Sequence, residues 1–283
     1  MNYLEQFKVR AGSQVKLKDI DPAFKDRYES HEDAAAEIEK YCKRLRELQD
    51  VLYAQRQQSL LICLQALDTA GKDGTINHVL GAMNPQGCRV VPFRQPSAEE
   101  SAHDFLWRVH RATPARGEVA IFNRSHYEDV LVVRVHNLVP KHVWSARYDL
   151  INRFEQELTE NDTHILKFFL HISNEEQLAR FKARLDDPTK QWKISEADYK
   201  ERTYWKDYMA AYEEALSRCS TDRAPWFIIP ANHKWFRNLA VARIVVEHLD
   251  TLGLSYPKPT VDLAQIRRDY HHAQEAASSS KKS

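Results

Sequence analysis

The segment Asp68-Thr69-Ala70-Gly71-Lys72-Asp73-Gly74-Thr75 gathers a lysine, two glycines, two carboxylates and two hydroxyls, a set suited to holding phosphate. A loop that leaves a buried strand and opens a helix brings successive backbone N–H groups and the positive end of the helix to one point, which attracts anions. Lys72 adds a mobile positive charge there, and Gly74 lets the backbone approach phosphate oxygens closely. Ala70, Gly71, Asp73 and Thr75 complete the expected phosphate and nucleotide contacts. Taken alone, a Gly-Lys pair is more often an ordinary strand-to-helix turn than a phosphate site, so the flanks must decide. They do: the run from Ser59 to Ala66 is continuously apolar, as in a parallel strand buried on both faces, and it leads straight into the loop.

The loop departs from the usual GxxxxGK[ST] pattern in ways that carry chemistry. Ala66 stands where the first glycine is usual, Asp68 lies inside the loop, and Asp73 follows Lys72. A carboxylate aimed at a polyanion repels it unless a cation lies between, so Asp68 predicts Mg²⁺ at the loop, with Mn²⁺ as the alternative ion. A second group follows the apolar run Glu118 to Phe122, in Asn123-Arg124-Ser125-His126-Tyr127-Glu128-Asp129. Phosphate-loop enzymes commonly place a metal-holding aspartate at such a strand end. Asn123 stands there instead, where its amide can hold only a metal-bound water, which leaves Asp68 as the main metal ligand. Arg124 has the planar fork that binds two phosphate oxygens at once. A third group, Lys182, Arg184, Lys190 and Lys193 around Asp186-Asp187-Pro188, has the character of a basic lid that closes over a phosphate chain, with internal ion pairs when open.

The elements that must position these groups alternate strand and helix. Three-and-four spacing through Ile38, Tyr41, Leu45, Leu48 and Leu52 predicts a helix from Asp33 to about Gln57. A short helix over Ile76 to Met83 leads to a strand at Cys88 to Phe93. The capping box Ser97-x-x-Glu100 opens a helix through Arg111. Further strands are expected at Ile165 to Ile172 and Trp226 to Pro230, and helices at 141–160, after Ser173-x-x-Glu176, at Ser195 to Leu216, and from an Asn232 cap to Gly253. This pattern makes an α/β protein with a mostly parallel five-stranded sheet between helical layers. Residues 1–30 read as an arm on the body, 31–256 as the single domain with its lid at about 182–200, and 257–283 as a flexible polar tail.

A net charge of +1 over 283 residues gives no broad positive field, so the chain is not expected to bind nucleic acid, and any polyanion must be held locally. Cys42, Cys63, Cys88 and Cys219 form no CxxC pair, which points to reduced thiols. The longest apolar runs fall far short of the roughly 18 residues of a membrane span, so a soluble, cytoplasmic protein with no membrane partner is expected.

These motifs together carry a resemblance. Leu64 through Ile76, Ile121 through Val130, and Lys182 through Ser195 resemble, in order, the phosphate loop, second motif and lid of the polyphosphate kinase 2 family, over nearly the whole chain. The resemblance implies a P-loop kinase-like three-layer fold with a helical lid, Mg²⁺ dependence, and reversible phosphoryl transfer between inorganic polyphosphate and AMP or ADP, giving ADP and ATP. Glu128 is similar to the acceptor-sorting position of the class III members that act on both AMP and ADP. The family also implies a homo-oligomer, dimer or tetramer. Asp68, Lys72 and Arg124 are then the expected catalytic groups. Two rival readings share the fold: an ATP-dependent nucleoside monophosphate kinase, and a binding module for polyphosphate or nucleotide without catalysis.

Overall fold

The computed structural model describes residues 2–279. Five strands form one parallel sheet in the order β2-β3-β1-β4-β5. They are β1 (Ser59–Gln65), β2 (Cys88–Pro92), β3 (Val119–Asn123), β4 (Thr163–His171) and β5 (Trp226–Pro230). Every residue of β1 is buried, as befits a central strand whose two faces both meet apolar layers. Leu60, Ile62 and Leu64 face the larger core, whereas Leu61 and Cys63 face a smaller one with Phe93, Phe122 and Phe154. Each fully buried leucine or isoleucine here contributes about 1.5–3 kcal/mol to stability.

Helix α1 (His31–Gln55) starts at Ser30, whose hydroxyl accepts from the Asp33 amide, and turns off at Arg56 in a left-handed conformation (φ 52°). Next come α2 (Lys72–His78), α3 (Lys141–Glu160), α4 (Asn174–Leu185), α5 (Trp205–Cys219), α6 (Lys234–Asp250) and α7 (Leu263–Ser279). The α1 and α6 helices pack together on one side of the sheet. The α/β fold with a five-stranded parallel sheet follows the expectation, and all its pairings are parallel.

Several local readings change. The first helix after the phosphate loop begins at Lys72 rather than Ile76, because Gly71 at φ 109° turns the chain directly into it. Ser97 and Glu100 do form a complete capping box, but that helix stops at Ser101. Asp104 then accepts from the Leu106 and Trp107 amides and starts a separate turn, Trp107–His110. The helix expected over Ser195 to Leu216 breaks at Arg202–Tyr204 into Glu196–Glu201 and α5. Asn232 does not cap α6. Its side chain accepts from the Ser173 amide at 3.0 Å, tying the turn after β4 to the turn after β5, and His233 precedes α6 without a side-chain cap. Beyond Pro257 the expected flexible tail contains helix α7, while residues 280–283 lie outside the described part. Residues 2–30 lie against the body: the Val9 amide donates to the Trp226 carbonyl at 2.8 Å, and Tyr3 is fully buried.

Candidate active site

The connection out of β1 runs toward β2, and the connection out of β3 crosses to β4, so a crevice opens at the carboxyl ends of β1 and β3. The phosphate loop and the second motif meet there. Thr69 (φ 64°) and Gly71 (φ 109°) both take left-handed conformations that curl the loop around a concavity of backbone amides. Lys72 is largely buried, and its Nζ donates to the Ala66 carbonyl at 3.0 Å, so the ammonium folds back along the loop. Burial lowers its pKa to about 8, and the neighbouring Arg124 pushes in the same direction, against the pull of Asp68, Glu128 and Asp73.

The sequence-expected residues separate into those at this concavity and those beside it. Asp68 is partly exposed, and one carboxylate oxygen meets Arg184 of α4 at 3.3 Å. Asn123 turns toward Asp73, donating its amide to Oδ1 at 2.8 Å, which joins the end of β3 to the first turn of α2. Thr75 is buried, and its hydroxyl donates to the Gly71 carbonyl at 3.2 Å, inside the helix rather than into the concavity. Ala70 is buried as well, so what it offers is backbone. Arg124 (φ 63°) leaves β3 in a strained left-handed conformation and pairs with Glu128 at 3.4 Å, and that carboxylate raises the arginine's pKa. Asp68, Arg124 and Glu128 line one cleft of about 200 Å³, faced by Tyr208 and Tyr212 of α5. A larger cleft of about 560 Å³ lies under the N-terminal arm and includes none of the phosphate-loop residues, so size alone does not mark the site.

In the lid, Lys182 pairs with Asp186 and Lys190 with Asp187, the internal ion pairs expected of four bases around two acids. Lys193 lies over the Trp192 ring at 5.0 Å, and only Arg184 of the four bases reaches the phosphate loop.

The oxygen chemistry suits the implied ion. The carboxylates of Asp68, which lines the cleft, and of Asp73, in the first turn of α2, are hard donors, and among the described residues no cluster of three protein ligands forms. Mg²⁺ commonly takes one or two carboxylates and completes its shell with substrate phosphate and water.

Residues 28–255 match the family described as Polyphosphate kinase 2 (PPK2). The chain belongs to the polyphosphate kinase 2 family. Over 257 residues, 90% of this chain and 96% of the relative, it is 48% identical to the AMP/ADP-polyphosphate phosphotransferase of Meiothermus ruber. It is 45% identical to the ADP-polyphosphate phosphotransferase of Rhodopseudomonas palustris, over 93% of this chain and 97% of that one. Its fold superposes on the crystal structure of Polyphosphate Kinase 2 from Arthrobacter aurescens TC1 with a TM-score of 0.92, at 43% identity, covering 96% and 97% of the two chains. The family reading, the fold and the phosphotransferase class expected from the three motifs are thereby established.

Sequence reasoning missed the residues that reach the phosphate loop from behind and from α5. Gln177 donates to the Asp68 carbonyl, and Arg180 donates to the carbonyls of Thr69 and Ala70. His136 and Tyr208 converge on Glu201 across the cleft from Arg124. One signal was available: Arg237, which donates to the Ala70 carbonyl at 3.2 Å, stands between the aromatic pair Trp235-Phe236 and the apolar run Leu239-Ala240-Val241-Ala242, an odd place for a charge.

Proposed function

We propose that the chain transfers the terminal phosphoryl group of inorganic polyphosphate to AMP and to ADP, making ADP and ATP, with Mg²⁺ as the required ion, or Mn²⁺ in its place. The observation that carries this reading is the cleft in which Asp68, at the start of the phosphate loop, faces the Arg124–Glu128 pair. In transfer, an anionic oxygen of the nucleotide's last phosphate attacks the end phosphorus of the chain. The bond from that phosphorus to its bridging oxygen breaks, and the shortened polyphosphate leaves with the electron pair. The nucleophile is already deprotonated, so no general base is needed. Catalysis then depends on position and on positive charge.

Lys72 and the loop amides hold the transferring group, and Arg124 spans oxygens of donor and acceptor. Arg184, which reaches Asp68 from α4, brings the lid's charge to the loop, and Lys182, Lys190 and Lys193 exchange their internal partners for the polyphosphate chain. Mg²⁺ held by Asp68, through phosphate oxygens and water, with Asn123 and Asp73 oriented by each other beside it, would neutralise the charge that develops on the oxygens in flight. Glu128, held by Arg124, faces the acceptor at the position where a glutamate goes with acceptance of both AMP and ADP. The same groups serve the reverse reaction. The names of the Meiothermus and Rhodopseudomonas relatives support this choice of donor and acceptors.

The test supplies AMP, polyphosphate and Mg²⁺ without ATP. ADP and then ATP are expected, and formation of neither would overturn the proposal. ADP formed from AMP only when ATP is the donor would replace it with a nucleoside monophosphate kinase. A cytoplasmic homo-oligomer, with neither nucleic acid nor membrane as partner, belongs to the same reading. Among the described residues no helix is long and apolar enough to cross a membrane. Sedimentation velocity reads the subunit number.

A further inference from the structure

Behind the phosphate loop, on the side away from the cleft, two arginines are buried. Arg180 of α4 donates Nη1 to the carbonyls of Thr69 (3.0 Å) and Ala70 (3.2 Å) and Nη2 to those of Ala231 and Asn232, while its Nε pairs with Glu176 at 2.7 Å. Arg237 of α6 is only 2% exposed, donates Nη1 to the Ala70 carbonyl at 3.2 Å, and otherwise meets the neutral side-chain oxygen of Asn238. Among the described residues no carboxylate lies within ion-pair distance of Arg237, and the charged groups around the two arginines are Lys234, Arg184 and Glu176, the last of them bonded to Arg180. Its pKa falls to about 9 through burial and the nearness of Arg180.

The guanidinium fills the space that side chains would take at both loop glycines. A Cβ on Gly71 would fall 1.7 Å from its Nη1, and one on Gly74 would fall 3.0 Å from its Nη2. An unpaired charge in the interior is among the most unfavourable features a fold can carry, and it persists only where something else compensates it. Here the nearest place for a compensating anion is the concavity on the far side of Gly71. The Ala70 carbonyl is turned back toward two guanidinium groups and its amide donates to the Leu67 carbonyl at 3.3 Å, so the amides left for the front are those from Gly71 to Gly74.

We propose that Arg237 is a positioning residue for the phosphate loop: its buried guanidinium, without an acid partner, turns the Ala70 carbonyl backward and sets a positive charge behind Gly71 and Gly74 that a bound phosphate chain neutralises. It touches no substrate and acts through the loop. The proposal rests on the phosphotransferase reading of the site.

Arg237→Gln keeps a donor for Ala70 O and removes the charge, whereas Arg237→Lys keeps the charge and loses the fork. Tripolyphosphate binding by calorimetry, melting temperature without ligand, and the polyphosphate KM and kcat are measured for both. In Arg237→Gln, tripolyphosphate affinity is expected to fall about tenfold and KM to rise in step. The ligand-free variant is expected to melt at or above the wild-type temperature, because an unfavourable buried charge is gone. Arg237→Lys should bind within about threefold of wild type. Equal weakening in the two variants, unchanged affinity in Arg237→Gln, or an Arg237→Gln chain that melts lower or fails to fold would each overturn the proposal. A wild-type protein that binds no tripolyphosphate would overturn the phosphate-loop reading beneath it, an outcome that the wild-type measurement alone distinguishes.

Discussion

Lys72 is held close to the boundary between charged and neutral. Burial first, and the adjacent Arg124 second, bring its pKa from 10.5 to about 8. The folded value lies below the unfolded one, so between pH 8 and 10.5 the unfolded chain holds more protons on this residue. Its contribution to stability therefore rises with pH across that window and is unfavourable below it. Phosphate oxygens arriving at the loop favour the ammonium and raise the pKa again. Tripolyphosphate binding at pH 8 should therefore take up part of a proton, seen as a dependence of binding heat on the buffer's ionisation enthalpy, and the uptake should vanish near about pH 6. Lys72→Met should abolish it, and a wild-type protein with no buffer dependence at pH 8 would contradict this picture of Lys72. Asp68 has a different task. Asp68→Asn keeps the shape, leaves Arg184 without its anionic partner, and removes the charge that calls the metal to the loop. We expect at least about a hundredfold loss of kcat with unchanged circular dichroism. Normal turnover would sink the assignment.

At the scale of elements, the second motif stands on a buried ion pair. Glu155 of α3 and Lys167 of β4 are both essentially inaccessible and bonded to each other. Glu155 also accepts from Tyr127 at 2.9 Å and meets His126 at 3.2 Å, so the turn that carries Arg124 and Glu128 is anchored from beneath. Burial alone would push the Glu155 carboxyl up, but Lys167 and His126 outweigh it, and the net shift is downward. The stability this pair adds is present above the ordinary carboxyl value and is lost as pH falls below it. Glu155→Gln leaves the lysine charge uncompensated and should destabilise by about 3–5 kcal/mol in chemical denaturation. Glu155→Leu with Lys167→Met should recover part of that loss, since two apolar groups leave no buried charge unpaired. A Glu155→Gln variant as stable as wild type would remove the pair from this role. None of this was legible in the sequence, because a lysine inside His-Ile-Leu-Lys-Phe-Phe-Leu-His and a glutamate twelve positions before it become partners only once α3 folds back onto β4. The strands were legible, since continuous apolar runs have few other uses in a chain of this kind. The phosphate loop and second motif were legible because their chemistry is local in sequence. The helix breaks at Asp104 and Arg202 were not, because each is stabilised by contacts outside the helical repeat, Arg202 by Gln177 and Asn174.

At the scale of the whole molecule, the two ends of the described chain relate to the body in opposite ways. The N-terminal arm binds it at several points. Tyr3 is buried against Phe236 beneath the Arg243 guanidinium, 4.2 Å from its ring, and donates to Asp26. The Leu17 amide donates to Glu213 at 2.8 Å, the Val15 amide to Ser217 at 2.9 Å, and the arm bridges the outer edge of β5 at Lys8 and Phe227. Removing residues 2–19 would uncover that edge and expose the pockets of Tyr3, Val9 and Leu17, each side chain worth about 1.5–3 kcal/mol on burial. Helix α7, in contrast, has its described residues exposed along its length, including Leu263, Ile266 and Tyr270. A chain ending at Pro257 should therefore melt within about 2 °C of the full chain and keep its kcat, whereas a chain lacking residues 2–19 should melt lower by at least about 5 °C. Calorimetric melting of both, with AMP turnover at saturating polyphosphate, compares the two ends directly. Because the arm meets the body at β5, α5 and α6 and stays clear of the phosphate loop, whatever activity the arm-deleted protein keeps below its melting point should retain the wild-type KM for polyphosphate. A raised KM in that variant would mean that the positions of α5 and α6, and with them Tyr208 and Arg237, depend on the arm.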